Sequence, residues 1–181
     1  MILKEHVDHV LIDEQELLAR IAELAAEVSH DYAGVDNLLL VCVLKGAIMF
    51  LSDFSRQLDI PHAIDFMAIS SYGASTKSSG VVRILMDLKA NILDRHVLIV
   101  EDIVDSGRTL DYILRNLGTR GPASLKVCTL LDKKEQRVLP VPVDYVGFEI
   151  PDEFVIGYGL DFDELYRNLP FIGVLKPEFY E

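Results

Sequence analysis

Polar and apolar residues fall into blocks of two periods along the chain. From Asp13 to His30 the apolar positions Leu17, Ile21, Leu24 and Val28 recur at helical spacing. Asp13 followed by Glu16 forms a capping arrangement at the start of this helix. The unbroken run Leu38 to Leu44 has the length of a buried strand, and it ends at Lys45-Gly46. A second helical pattern covers Ile48 to Leu58. Ile64 to Ile69 reads as a strand, the stretch from Gly73 to Gly80 is polar, and Val81 to Leu85 resumes a strand. The clearest strand signal is Val97 to Val100, followed at once by the polar sequence Glu101 to Thr109. A helix is predicted from Leu110 to Leu117, with Gly118 as its C-cap. Ser124 to Leu131 and Tyr145 to Phe148 complete the set of predicted strands.

Strands that alternate with helices predict an α/β fold, with a mainly parallel sheet flanked by helices on both faces. Such sheets bind ligands at the carboxyl ends of their strands. Lys45, Glu101, Asp102 and Lys133 all sit at such ends. The 181 residues suffice for one domain with a sizeable core, so residues 1–181 are read as a single unit. No repeat or low-complexity tract divides them.

Charge narrows the function. The net charge is −12, and the one paired-lysine step, Lys133-Lys134, is bracketed by Asp132 and Glu135. A nucleic-acid partner, which requires a basic face, is not expected. No apolar run approaches the roughly 20 residues that span a bilayer, so no membrane association is expected. Acidic residues interrupt the N-terminal segment where a signal peptide needs an apolar stretch. Cys42 and Cys128 lie in apolar runs without metal-type spacing, and are read as core residues of a protein in a reduced cytoplasm.

The chemistry is concentrated between Val97 and Thr109. An apolar strand delivers two adjacent carboxylates, Glu101 and Asp102, and the chain then enters Asp105-Ser106-Gly107-Arg108-Thr109 and a helix. Gly107 permits a tight turn, so that backbone N–H groups at the helix N-terminus can cradle an anion, with the Ser106 and Thr109 hydroxyls as further donors. Taken alone, this loop reads equally well as a plain strand-to-helix turn with hydroxyl capping. The carboxylates just upstream favour a phosphate cradle beside sugar hydroxyls or a hydrated magnesium ion. Neither a Walker loop nor a GxGxxG fingerprint is present.

VLIVEDIVDSGRTL resembles the signature of the type I phosphoribosyltransferase family, in particular of its members that act on hypoxanthine and guanine. Leu44-Lys45-Gly46, Ser71-Tyr72-Gly73 and the distal VGFEIPDEFVIGYGLDFDELYRNLP resemble the same family in order and spacing. The resemblance implies a small hood formed by terminal segments: the N-terminal segment and the region after about residue 150 would contribute a base-binding hood. It implies a purine salvage transferase that moves the 5-phosphoribosyl group of phosphoribosyl pyrophosphate to hypoxanthine, guanine or both. The products would be IMP or GMP and pyrophosphate, and magnesium would be needed.

The same resemblance distributes the roles. Glu101, Asp102, Asp105, Ser106, Gly107, Arg108 and Thr109 would bind the ribose and its 5′-phosphate, and Asp105 would serve as general base near purine N7. Leu44, Lys45, Gly46 and Arg167 would hold the pyrophosphate, with a Leu-Lys peptide that is sometimes cis in the family. Asp161, with Glu101 and Asp102, would be the magnesium ligands. Lys133, Phe154 and Val155 would bind the base, the lysine donating to the 6-oxo group and the phenyl ring stacking on the purine. Ser71 and Tyr72 would belong to a lid over residues 71–80.

A transferase for adenine, uracil or orotate would share the phosphate loop, but Lys133 with GFEIPDEFVIGYGLD favours a 6-oxopurine. A regulatory module that keeps the fold while binding RNA or DNA conflicts with the acidic charge. By the same resemblance, the chain is expected to form a homodimer or homotetramer.

Overall fold

A computed structural model describes residues 5–71 and 82–180. In chain order its elements are β1 (Val7–Ile12), α1 (Glu14–Asp31), β2 (Leu38–Leu44), α2 (Ile48–Gln57), β3 (Ala63–Ser71) and β4 (Val82–Met86). They continue with β5 (His96–Val104), α3 (Arg108–Gly118), β6 (Ser124–Asp132), β7 (Tyr145–Glu149), β8 (Val155–Ile156) and β9 (Ile172–Leu175). The main sheet has the order β4-β3-β2-β5-β6-β7. β2, β3, β5, β6 and β7 run parallel, and β4 is an antiparallel edge.

The alternation of strand side chains explains why the apolar runs are continuous. Leu38, Leu40 and Cys42 face one layer, where Leu17, Ile21 and Leu24 of α1 pack with Phe50 and Phe54 of α2. Leu39, Val41 and Val43 face the opposite layer, against Leu110, Ile113 and Leu117 of α3. Truncating a fully buried ring such as Phe54 would cost about 3–5 kcal/mol. Both cysteines are free and buried, as expected of core residues.

Asp13 caps α1 by accepting the Glu16 N–H at 2.9 Å. The same helix closes an edge of the sheet: Arg20 donates to the carbonyls of Val146 and Gly147 on β7, both at 2.9 Å. An edge strand whose carbonyls are taken up in this way offers less to a foreign strand.

Three expectations need correction. Gly118 lies inside α3, and Thr119 is the C-cap with right-handed helical backbone. The turn that needs a glycine comes later, at Gly121, where φ is +69°. Glu101 and Asp102 do not follow β5 but lie within it, because the strand continues to Val104 and pairs with β6 up to Asp132. Finally, β1, β9 and β8 form a separate antiparallel three-stranded sheet whose strands were not anticipated individually. Tyr72 and the rest of the expected lid lie outside the described residues, as does Val81.

Candidate active site

Three groups of residues meet above the carboxyl ends of β2, β5 and β6. The first is a corner built from distant segments. The Leu44–Lys45 peptide is cis, and Gly46 follows it. A Cβ added to Gly46 would overlap the Asp102 carboxylate, and one added to Gly159 would overlap the Gly46 carbonyl. Only glycines allow this approach. Arg167 fastens the corner: it donates to the Gly159 carbonyl at 2.7 Å and pairs with Asp161 at 2.8 Å. Glu164 joins Lys45 at 2.7 Å, on the exposed side of the same corner. The expected pyrophosphate residues Leu44, Lys45, Gly46 and Arg167 are therefore brought together with Asp102 and Asp161.

Strand alternation separates the two adjacent carboxylates. Asp102 points at Gly46 and feels the charges of Arg167 and Asp161, while Glu101 is buried and only 6% exposed. Burial pushes the Asp102 carboxyl up to about 6, against the pull of its own and the Ile103 backbone N–H groups and of Arg167. Burial, reinforced by neighbouring Asp102, holds the Glu101 carboxyl well above the ordinary carboxylate range. Each group gains from a cation or a hydroxyl placed against it.

Magnesium can be weighed on this donor set. Among the described residues no three His, Cys, Asp or Glu side chains converge closely enough to cage a metal. Asp102 and Asp161 supply hard carboxylate oxygens instead. That suits magnesium, which takes one or two carboxylates and completes its shell from water and substrate oxygens. It does not suit zinc, which demands four close ligands rich in nitrogen or sulfur.

The second group is the loop between β5 and α3. Gly107 is the N-cap of α3 with φ +82°, and among the described residues no side chain caps the helix. The N-terminal N–H groups of α3 are thus left to an external anion. Ser106 and Thr109 are partly buried, while Asp105 and Arg108 are exposed.

The third group comprises Lys133, Phe154 and Val155, the residues expected to bind a base. Lys133, immediately after β6, is buried and donates to the Glu153 carbonyl at 2.8 Å and to Asp152 at 3.4 Å. An ammonium has three N–H donors, so one is left for an incoming acceptor. Phe154 stacks on Tyr180 at 4.7 Å and meets the edge of Phe162 at 5.6 Å. It nevertheless remains 37% exposed. Val155 opens β8, which is zipped to β9 through Val174 and Gly173.

Several contributors were not legible beforehand. Gly159, Glu164, Phe162 and Tyr180 act through contacts between segments far apart in sequence. A local signal existed only for the first: alternating glycines in Gly157-Tyr158-Gly159, both with positive φ.

A parallel sheet, a glycine-led helix N-terminus after paired carboxylates and a second small sheet over the strand ends are the features of one family. The Phosphoribosyl transferase domain matches residues 10–163, and the chain belongs to the phosphoribosyltransferase family. Within it, the similarity is to hypoxanthine-guanine phosphoribosyltransferases. The enzyme of that name from Mycobacterium avium is 53% identical over 180 residues, covering 97% of this chain and 89% of the relative. The one from Dictyostelium discoideum is 50% identical over 175 residues, covering 95% and 97%. The crystal structure of a hypoxanthine phosphoribosyltransferase from Staphylococcus aureus superposes with a TM-score of 0.95 at 45% identity, covering 100% of this chain and 98% of that one.

Proposed function

We propose that this chain transfers the 5-phosphoribosyl group of phosphoribosyl pyrophosphate to hypoxanthine, guanine or both, as a purine salvage enzyme. The observation that carries the reading is Lys133: a buried donor-only group at the end of β6, tied to the backbone beside Phe154. A purine stacked on Phe154 would present its 6-position to that ammonium. An oxo group accepts the hydrogen bond; the amino group of adenine would set donor against donor.

The reaction breaks the bond from the ribose anomeric carbon to pyrophosphate and forms one to the purine nitrogen, and the base loses a proton. The 5′-phosphate sits on the Asp105–Thr109 loop and the N-terminus of α3. Glu101 and Asp102 hold the ribose hydroxyls. The backbone of Leu44, Lys45 and Gly46, with Arg167, receives the departing pyrophosphate. Asp102 and Asp161 would hold magnesium, which when bound supplies positive charge to the pyrophosphate oxygens. Asp105 is within the loop and solvent-facing, and a purine laid over it would provide the desolvation that makes it an effective base.

β1, β8 and β9 form the hood over the base. No helix among the described residues is long and apolar enough to cross a membrane. Ile48 and Met49, 43% and 39% exposed at the start of α2, supply apolar surface for the expected homodimer or homotetramer.

A panel assay tests this reading. Purified protein, phosphoribosyl pyrophosphate and magnesium are mixed with hypoxanthine, guanine, xanthine, adenine, uracil and orotate in turn. Hypoxanthine or guanine should exceed adenine by about 10²-fold or more in kcat/KM. Adenine turnover equal to that of hypoxanthine would overturn it.

A further inference from the structure

The phosphate loop rests on a second loop that the reaction itself does not require. Residues 134–141 follow Lys133 at the end of β6 and pass directly beneath Ser106 and Gly107. The Ser106 carbonyl accepts two N–H groups from this segment, Val138 at 3.0 Å and Leu139 at 3.1 Å. A Cβ at Gly107 would come within 2.7 Å of the Leu139 carbonyl and 3.0 Å of Arg137 Cδ. The two loops are therefore packed backbone to backbone, with no room for a side chain between them.

Arg137 holds the lower loop in place. One end of its guanidinium pairs with Asp132, the last residue of β6, and Nη1 donates to the Val141 carbonyl at 3.2 Å. The pair is interior: the side chains of Arg137 and Asp132 are 16% and 3% exposed. The fork thus ties the end of a core strand to the far side of the lower loop, and its alkyl stem lies against the glycine that opens α3. We propose that Arg137 is a positioning residue for the 5′-phosphate, with Asp132 as its buried counter-charge. It keeps residues 137–141 seated under Gly107, so that the N–H groups at the start of α3 stay directed at the phosphate. This rests on the assignment of that loop to the 5′-phosphate. Because Asp132 already neutralises the guanidinium, the effect is one of placement and not of long-range attraction. A lysine would keep the charge but lose the second anchor at Val141.

The test compares two ligands that differ only in the phosphate, inosine 5′-monophosphate and inosine, by calorimetry on the parent, Arg137→Ala and Arg137→Lys proteins. The parent should bind the monophosphate far more tightly. If it shows no preference, the phosphate-loop assignment itself fails and takes this proposal with it. With that preference established, both variants should lose about tenfold or more in monophosphate affinity and stay within about twofold for inosine. In steady-state assays the KM for phosphoribosyl pyrophosphate should rise, with that for the base little changed. Equal losses for both ligands would reduce Arg137 to a general structural role, and full retention by Arg137→Lys would make it a charge effect; either overturns the proposal. Should Arg137→Ala not fold, Arg137→Lys and Asp132→Asn carry the same comparison, and wild-type monophosphate affinity in both is a refutation. The double variant Asp132→Asn/Arg137→Ala should be no worse than Arg137→Ala, since the two act as one unit.

Discussion

Gly159 is packed so tightly on Gly46 that a methyl group on it would overlap the Gly46 carbonyl. Gly46 in turn leaves no room between its Cα and Asp102, so three segments are stacked in one column behind the Leu44–Gly46 corner. Gly159 also has φ +103°, which disfavours any side chain. Gly159→Ala should therefore destabilise the protein by about 2–5 kcal/mol, combining backbone strain with overpacking. Urea unfolding measures this directly. A loss below 1 kcal/mol, by roughly the precision of such melts, would show that the column can relax. Gly46→Ala displaces only the Asp102 carboxylate, and should cost activity more than stability.

Asp102 makes stability depend on pH in a definite direction. Its carboxyl is raised from 3.8 to about 6 by burial, so between those values the folded chain binds more protons than the unfolded one. Stability must then fall as pH rises through that window, and stay lowered above it. Asp102→Asn removes this contribution. In chelator and without substrate, the variant should be more stable than the parent above pH 6, with the advantage fading toward pH 4. Glu101 is raised in the same direction, in part by the Asp102 charge, so the substitution relieves Glu101 as well and adds to the variant's advantage at higher pH. Thermal melts across the range decide it; a constant gap at all pH values would mean that Asp102 does not titrate there.

Asp105→Asn retains shape and most hydrogen bonding while removing a base. Turnover should drop by roughly 10²–10⁴-fold. Affinity for phosphoribosyl pyrophosphate should change far less, because the backbone cradle around Gly107 survives. Parallel losses in both would make Asp105 a binding residue and not the base.

Tyr180 covers one face of Phe154, and Phe162 abuts its edge, which leaves the opposite face for a purine. Tyr180→Ala should free the phenyl ring to reorient and raise the KM for the base by about 2–10-fold, the worth of an aromatic pair. Tyr180→Phe should behave like the parent. An unchanged base KM in Tyr180→Ala would show that Phe154 is held by other means.

Much of this molecule can be read from local pattern, because the central strands are buried on both faces and their apolar runs admit no other element. Leu38–Leu44 is the clearest instance. The hood was harder. β1 carries Asp8 and His9 and has register shifts on both sides of its centre, which break the period of two, while β8 is only two residues long. The carboxylates of β5 misled in another way: charge at Glu101 and Asp102 suggests the end of a strand, yet pairing with β6 continues beneath them. The candidate residues within motifs could be named one by one. Their partners could not, since the contacts of Gly159 with Gly46, Glu164 with Lys45 and Tyr180 with Phe154 depend on how distant segments meet.

The pairing of β1 with β9 also sets an order of assembly. Val7–Ile12 is made before the other described strands, and its partner Ile172–Leu175 after them. The proposed phosphate loop and its support are both translated once residue 141 has been added, whereas the proposed base wall requires β9. A growing chain therefore completes the proposed phosphate site before the proposed base wall, and β1 is held unpaired until β9 has been made.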